Sequence, residues 1–156
     1  MQRRSLLLAA GMAPWMPLAR AHHGWSSFDQ SRPLYLEGTA ADVRWRNPHV
    51  ELVLLPASEM ALPADLASRA LPRQTAPVDG AELLKAARPP QRSHPRWTIE
   101  LAPLFRMNAW QVAEIRNGDR LAVLGFTFAG EQGDPVLRVE YLWSGGGTYG
   151  LRSSPA

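Results

Sequence analysis

The chain contains no cysteine, which excludes disulfides, a thiolate nucleophile and any cysteine-ligated zinc centre. Lysine is almost missing too: of the 17 basic residues only Lys85 is not arginine, a bias that reads as GC-rich coding before it reads as binding. Net charge is scarce once its distribution is considered. Arg3, Arg4 and Arg20 fall within the first 21 residues, which hold no acid, so 14 basic residues (17 − 3) face 14 acidic ones in the remainder. A near-neutral domain is a poor nucleic-acid binder, because that affinity comes largely from neutralising phosphates. There is also no apolar run long enough to cross a bilayer as a helix, which takes about 20 residues. The first such run, Leu6 to Leu18, is shorter and is broken by Gly11, Pro14 and Pro17. Stable membrane insertion is not expected.

What the amino terminus does have is the layout of a cleaved export signal. A basic start at Arg3-Arg4 leads into the apolar run, and Ala19-Arg20-Ala21 puts small residues at the first and third positions before a peptidase cut. The arginine pair followed by Ser5, Leu6 and Leu7 loosely resembles a twin-arginine signal, with Gln2 and Leu8 departing from the usual pattern. Residues 1–21 are therefore expected to be removed, leaving residues 22–152 as one soluble periplasmic or secreted domain. Without disulfides, that domain must hold itself together by its core.

Patterning beyond the signal is that of a β protein. Leu34 to Arg46 alternates loosely, with Gly38 placed for a bulge or sharp coil, and Asn47-Pro48 marks a turn. His49 to Leu55 is a second strand, with Val50, Leu52 and Leu54 on one face and His49, Glu51 and Val53 on the other. Pro56 to Pro95 is rich in proline and alanine and reads as a long mobile insertion, with a short helical possibility at Ala81 to Arg88. Strand patterns resume at Arg96 to Leu101, Leu121 to Phe128 and Val136 to Trp143, with a short helix within Pro103 to Arg116. A glycine turn at Gly145 to Gly147 permits a last strand, Thr148 to Leu151. This order predicts a mainly β, five- to six-stranded OB-like barrel with one short helix; a small β-sandwich is the competing arrangement.

His22-His23-Gly24-Trp25-Ser26, Phe28-Asp29, Gly38-Thr39, Val43, Trp45 and Asn47-Pro48-His49 resemble a family of small exported bacterial proteins. That family is classed as a domain of unknown function, with an Ala-His-His start after the signal and a Trp-x-Asn-Pro-His turn. The likeness continues through Trp97, Glu100-Leu101 and Gly118-Asp119; the long Pro56 to Pro95 segment departs from the short hairpin turn the resemblance implies. It implies no activity, so function rests on the residues.

Cleavage after Ala21 makes His22 a chain end that offers an α-amine and an imidazole. Nitrogen donors of this kind suit Cu(II), which heads the usual affinity order for divalent metals. His22, His23 and His49 are thus candidate ligands for copper, with zinc second, and Asp29 and Glu51 are candidate further ligands or partners that orient an imidazole. The alternative is an interaction or envelope-stress module that binds a protein or glycan in the barrel groove, with Trp25 and Trp110 as groove aromatics. Trp45, Trp97 and Trp143 are expected in the core. Ser26, Ser27 and the strand carboxylates Glu37, Glu51, Glu100 and Glu140 form no catalytic motif, and His94 is expected to do nothing chemical. The expectation is a non-enzymatic protein that binds a metal ion, a small ligand or an envelope protein.

Overall fold

The computed structural model describes residues 24–156; the expected signal segment, His22 and His23 lie outside the described residues. Six strands form one sheet: β1 Leu34–Arg44, β2 Glu51–Pro56, β3 Trp97–Glu100, β4 Arg120–Phe126, β5 Val136–Ser144 and β6 Gly147–Gly150. The neighbours run β3-β2-β1-β4-β5-β6, and a parallel pairing of β3 with β5 closes the first five strands into a barrel. Two short helices accompany them, α1 Gly80–Ala86 between β2 and β3 and α2 Leu104–Ala109 between β3 and β4. This is the OB-like connectivity, with β6 added as a hairpin on β5.

Alternation fixes which face of each strand points inward. Val50, Leu52 and Leu54 join Trp97, Ile99 and Leu101, and with Leu121, Val123, Leu137, Val139 and Leu142 they fill the interior. Met107 of α2 is fully buried against the same cluster. β1 serves both halves of the barrel: Leu34 to Thr39 pairs with β4, and Gly38 onward pairs with β2. Gly38 is where the two pairings overlap. A Cβ there would collide with the Leu55 carbonyl, so its role is close backbone approach. The bulge lies further along, between Ala41 and Arg44, where Asp42 takes a φ of 48°.

Among the tryptophans, Trp97 is in the interior and Trp45 packs against it, whereas Trp143 lies outside the barrel in a second cluster. That cluster also corrects the reading of Pro56 to Pro95 as a mobile insertion. Leu66, Leu84 and Ala87 from this segment are buried against Tyr35, Ala122, Leu124 and Tyr141, on the outward side of β1, β4 and β5. Prolines interrupt regular structure here without preventing burial, and Asp79 caps α1 through Glu82 N–H at 3.1 Å. A buried carboxylate pins the segment's end: Glu131 accepts the N–H groups of Gln91 and Arg92 and pairs with Arg32 at 3.0 Å. His94 packs edge-on against Trp97 with ring centroids 5.5 Å apart. No helix among the described residues is long and apolar enough to cross a membrane.

Candidate functional site

Five residues lie in register across the outside of the barrel. Arg44 on β1 stands opposite Glu51 on β2, Glu51 opposite Glu100 on β3, Glu100 opposite Arg138 on β5, and Arg138 opposite Phe126 on β4. Residues directly opposite in a ladder share a face, so this is one continuous row of side chains. The barrel is sheared, and the row that leaves the end of β1 returns beside Leu34 at its start. Two carboxylates thus sit side by side with an arginine at each end. Arg44 pairs with Glu51 at 3.6 Å, and Arg138 with Glu100 at 3.3 Å.

The Phe126 end of the row is roofed by the amino-terminal segment. Trp25 meets Phe126 edge-on at 6.3 Å and has two guanidiniums against its ring, Arg152 at 3.8 Å and Arg138 at 5.2 Å from the ring centre. Phe28 stacks on Phe128 at 5.2 Å, and Asp29 N–H bonds to the Thr127 carbonyl, which anchors the segment to the loop after β4. Arg152 is held firmly: Glu140 lies 2.6 Å away and Gln30 accepts at 2.8 Å. Glu140 is completely buried at the irregularity of β5 and also accepts from Gln74 at 2.9 Å. Burial pushes the Glu140 carboxyl up from its ordinary value, against the opposing pull of Arg152 and Gln74.

The predicted ligands separate under this geometry. His49 follows Asn47-Pro48, whose peptide is cis, and lies just before β2 on the outward side, where it meets Arg138 of the row. Its Nε2 is 3.4 Å from Nη2 of Arg138. Arginine can only donate, so in that contact Nε2 accepts. His49 and Trp25 therefore touch the same guanidinium. Glu51 shares that outward side but is committed to Arg44. Asp29 serves its own turn, accepting from Ser31 N–H at 3.0 Å and from the Ser31 hydroxyl at 2.5 Å. Trp25 is half-buried under its two arginines. Trp110 is half-buried against the core and donates from Nε1 to the Ser153 carbonyl at 2.8 Å. No group of three or more His, Asp or Glu with metal-site geometry occurs among the described residues, a set that does not include His22 and His23.

Sequence reasoning passed over Arg138 and Arg152, and it named Glu140 only as a strand carboxylate with no catalytic motif. The one available signal was the charge in Val136 to Trp143, an otherwise apolar strand in which Arg138 and Glu140 are costly unless paired.

Residues 11–62 match DUF6152, a family of unknown function. The match takes in His22, His23, Trp25, Asp29, β1, the Asn47-Pro48-His49 turn and β2, and it ends before β3. No curated protein and no solved structure matches the chain.

Proposed function

We propose that this chain is an exported, non-enzymatic β-barrel that binds copper, with zinc second, through His22 and His23 at a processed amino terminus and His49 on the barrel. The observation that carries this reading is the shared contact at Arg138, 5.2 Å from the Trp25 ring and 3.4 Å from His49. His23 precedes Trp25 by two residues, and two extended residues span about 7 Å. That short link supports placing the amino-terminal histidines at the same end of the barrel as His49. Export is supported by the Arg3-Arg4 start, the apolar run and Ala19-Arg20-Ala21. The test has two stages. Intact mass of the exported protein must place His22 first, and Cu(II) titration must then weaken in both His22→Ala and His49→Ala. Equal weak binding by all three proteins removes the metal site.

A second reading, an interaction module for an envelope protein or glycan, is favoured by a separate feature. An open cleft of about 570 Å³ lies between Ala67–Leu84 and β5, with Arg69, Arg73, Gln74 and Tyr141 among its walls. Chemical-shift mapping with envelope polysaccharide fragments tests it. Shifts that spare those four residues reject this reading.

A further inference from the structure

The walls of the open cleft between the 67–84 segment and β5 carry charge of one sign. Its charged lining residues are Arg69 and Arg73, and no carboxylate side chain lines it among the described residues. The two arginines differ in their commitments. Arg69 donates to both oxygens of Asp65, at 3.0 and 3.2 Å, and packs over the rings of Tyr35 and Trp143 at 5.9 and 5.5 Å. Arg73 is exposed, and its side chain makes no hydrogen bond or ion pair among the described residues. Two other polar walls are already committed. Gln74 donates to Glu140 at 2.9 Å and accepts from Ser153 N–H at 3.1 Å, and the Ser68 hydroxyl donates to the Asp65 carbonyl at 2.9 Å. Most of the remaining lining is apolar, with Leu71, Pro72 and Val78 half-buried.

We propose that this cleft binds a small organic acid with an apolar body, its carboxylate on Arg73 and its hydrocarbon against Leu71, Pro72 and Val78. This ligand class rests on the second reading's use of the cleft as a binding site and narrows what occupies it. The volume of about 570 Å³ lies within the range of small-molecule sites, which join apolar walls to a few polar groups. A guanidinium is a planar fork that matches the two oxygens of a carboxylate. With no acid on the walls, a cation finds no partner there and an anion meets no repulsion. Sugars fit less well, because the one aromatic ring in the lining, Tyr141, is 2% exposed and offers no face for stacking. Pro72 and Pro77 fix the backbone on either side of Arg73 to Ala76, so the cleft is pre-formed and little ordering opposes binding.

The test uses the full-length protein after its natural processing, with sodium hexanoate, hexan-1-ol and sodium acetate titrated separately at pH 7 and constant ionic strength. Hexanoate should give saturable shifts in the Leu71 and Val78 methyl resonances and in Arg73 Nε–H. Acetate, which lacks the apolar body, should not saturate over the same range, since each buried methylene adds to affinity. Arg73→Gln should weaken hexanoate binding roughly fivefold, the upper end for an exposed ion pair, and leave hexan-1-ol binding unchanged. Ala81→Glu places a carboxylate in the cleft from an exposed position of α1 and should abolish the hexanoate response without unfolding the protein. Arg120→Gln, exposed and outside the cleft, should leave that response intact. No saturable hexanoate shift, equal affinity for hexanoate and hexan-1-ol, or hexanoate binding unchanged by both Arg73→Gln and Ala81→Glu overturns the proposal. Polysaccharide fragments that shift these resonances where hexanoate does not also overturn it, and leave the second reading standing.

Discussion

Glu140 is where the folded segment between β2 and β3 is tied to the barrel and to the chain after β6. Its carboxylate, with no solvent exposure, joins Gln74 to Arg152. Glu140→Ala removes the acceptor from both and leaves Arg152, whose side chain is 23% exposed, without its carboxylate. Breaking a buried pair from one side costs about 3–5 kcal/mol. Arg152 keeps Gln30 and the Trp25 ring, so the lower end, about 3 kcal/mol, applies. That is a large part of the 5–15 kcal/mol typical of a domain. Glu140→Gln tests the electrostatics separately. The folded-state carboxyl titrates above its ordinary value of 4.5 because burial outweighs the attraction of Arg152. The folded protein therefore holds this proton more tightly than the unfolded chain does. The stability it confers is complete below the ordinary value and declines as pH rises through the folded-state value. Each unit of displacement corresponds to about 1.4 kcal/mol. The unaltered protein should thus hold its greatest advantage over Glu140→Gln near pH 4, and the gap should shrink toward pH 8. Urea unfolding followed by far-UV circular dichroism across that range measures both curves. A gap that widens with pH would refute the reasoning, since it would mean the ion pair with Arg152 prevails over desolvation.

Trp25→Ala should cost about 2–3 kcal/mol in urea unfolding, through lost aromatic area and the stacked Arg152 at 3.8 Å. Gly38→Ala should cost about 3 kcal/mol, the upper end for overpacking, because the obstacle is the Leu55 backbone carbonyl and not a side chain that can rotate. Leu84→Ala should cost about 2–3 kcal/mol, since Leu84 is 4% exposed in the outer cluster. A loss below about 0.5 kcal/mol, as at an ordinary surface position, would restore the mobile-loop view of this segment.

The barrel was legible because turn residues separate the strand patterns and β2 alternates cleanly. Val50, Leu52 and Leu54 could be assigned to one face from spacing alone, and they lie in the core. Strand bounds shifted by a residue or two where pairing partners, not composition, end a ladder; β2 begins at Glu51 instead of His49. Gly38 was correctly singled out for a bulge or a sharp coil, and the bulge lies further along the strand. A missing Cβ marks bulges and close approaches alike, and only the Leu55 carbonyl decides between them. The segment from Pro56 to Pro95 misled because proline density reports the lack of regular structure, not the lack of burial. Leu66, Leu84 and Ala87 are too far apart to form a periodic pattern, yet they meet on one outward face of the barrel. The site was less legible for a related reason. His49 stands out as a residue type, but its proximity to Trp25 runs through Arg138, 89 positions later in the chain.

The charges gathered at this end of the barrel bear directly on the proposed metal site. Arg152 is neutralised by Glu140, and Arg138 shares Glu100 at a long distance while Glu51 is taken by Arg44. Arg138 Nη2 also lies 3.4 Å from His49 Nε2, so a copper ion taken up by His49 would meet a guanidinium at close range, where a further cation is disfavoured. Replacing that guanidinium with a neutral amide removes the repulsion and releases the His49 nitrogen. Arg138→Gln, shown to be folded by circular dichroism, should accordingly bind copper more strongly than the unaltered protein in a Cu(II) titration. Identical copper affinity in the two proteins would mean that the guanidinium and the metal do not feel each other, and the placement of the metal at His49 would fall.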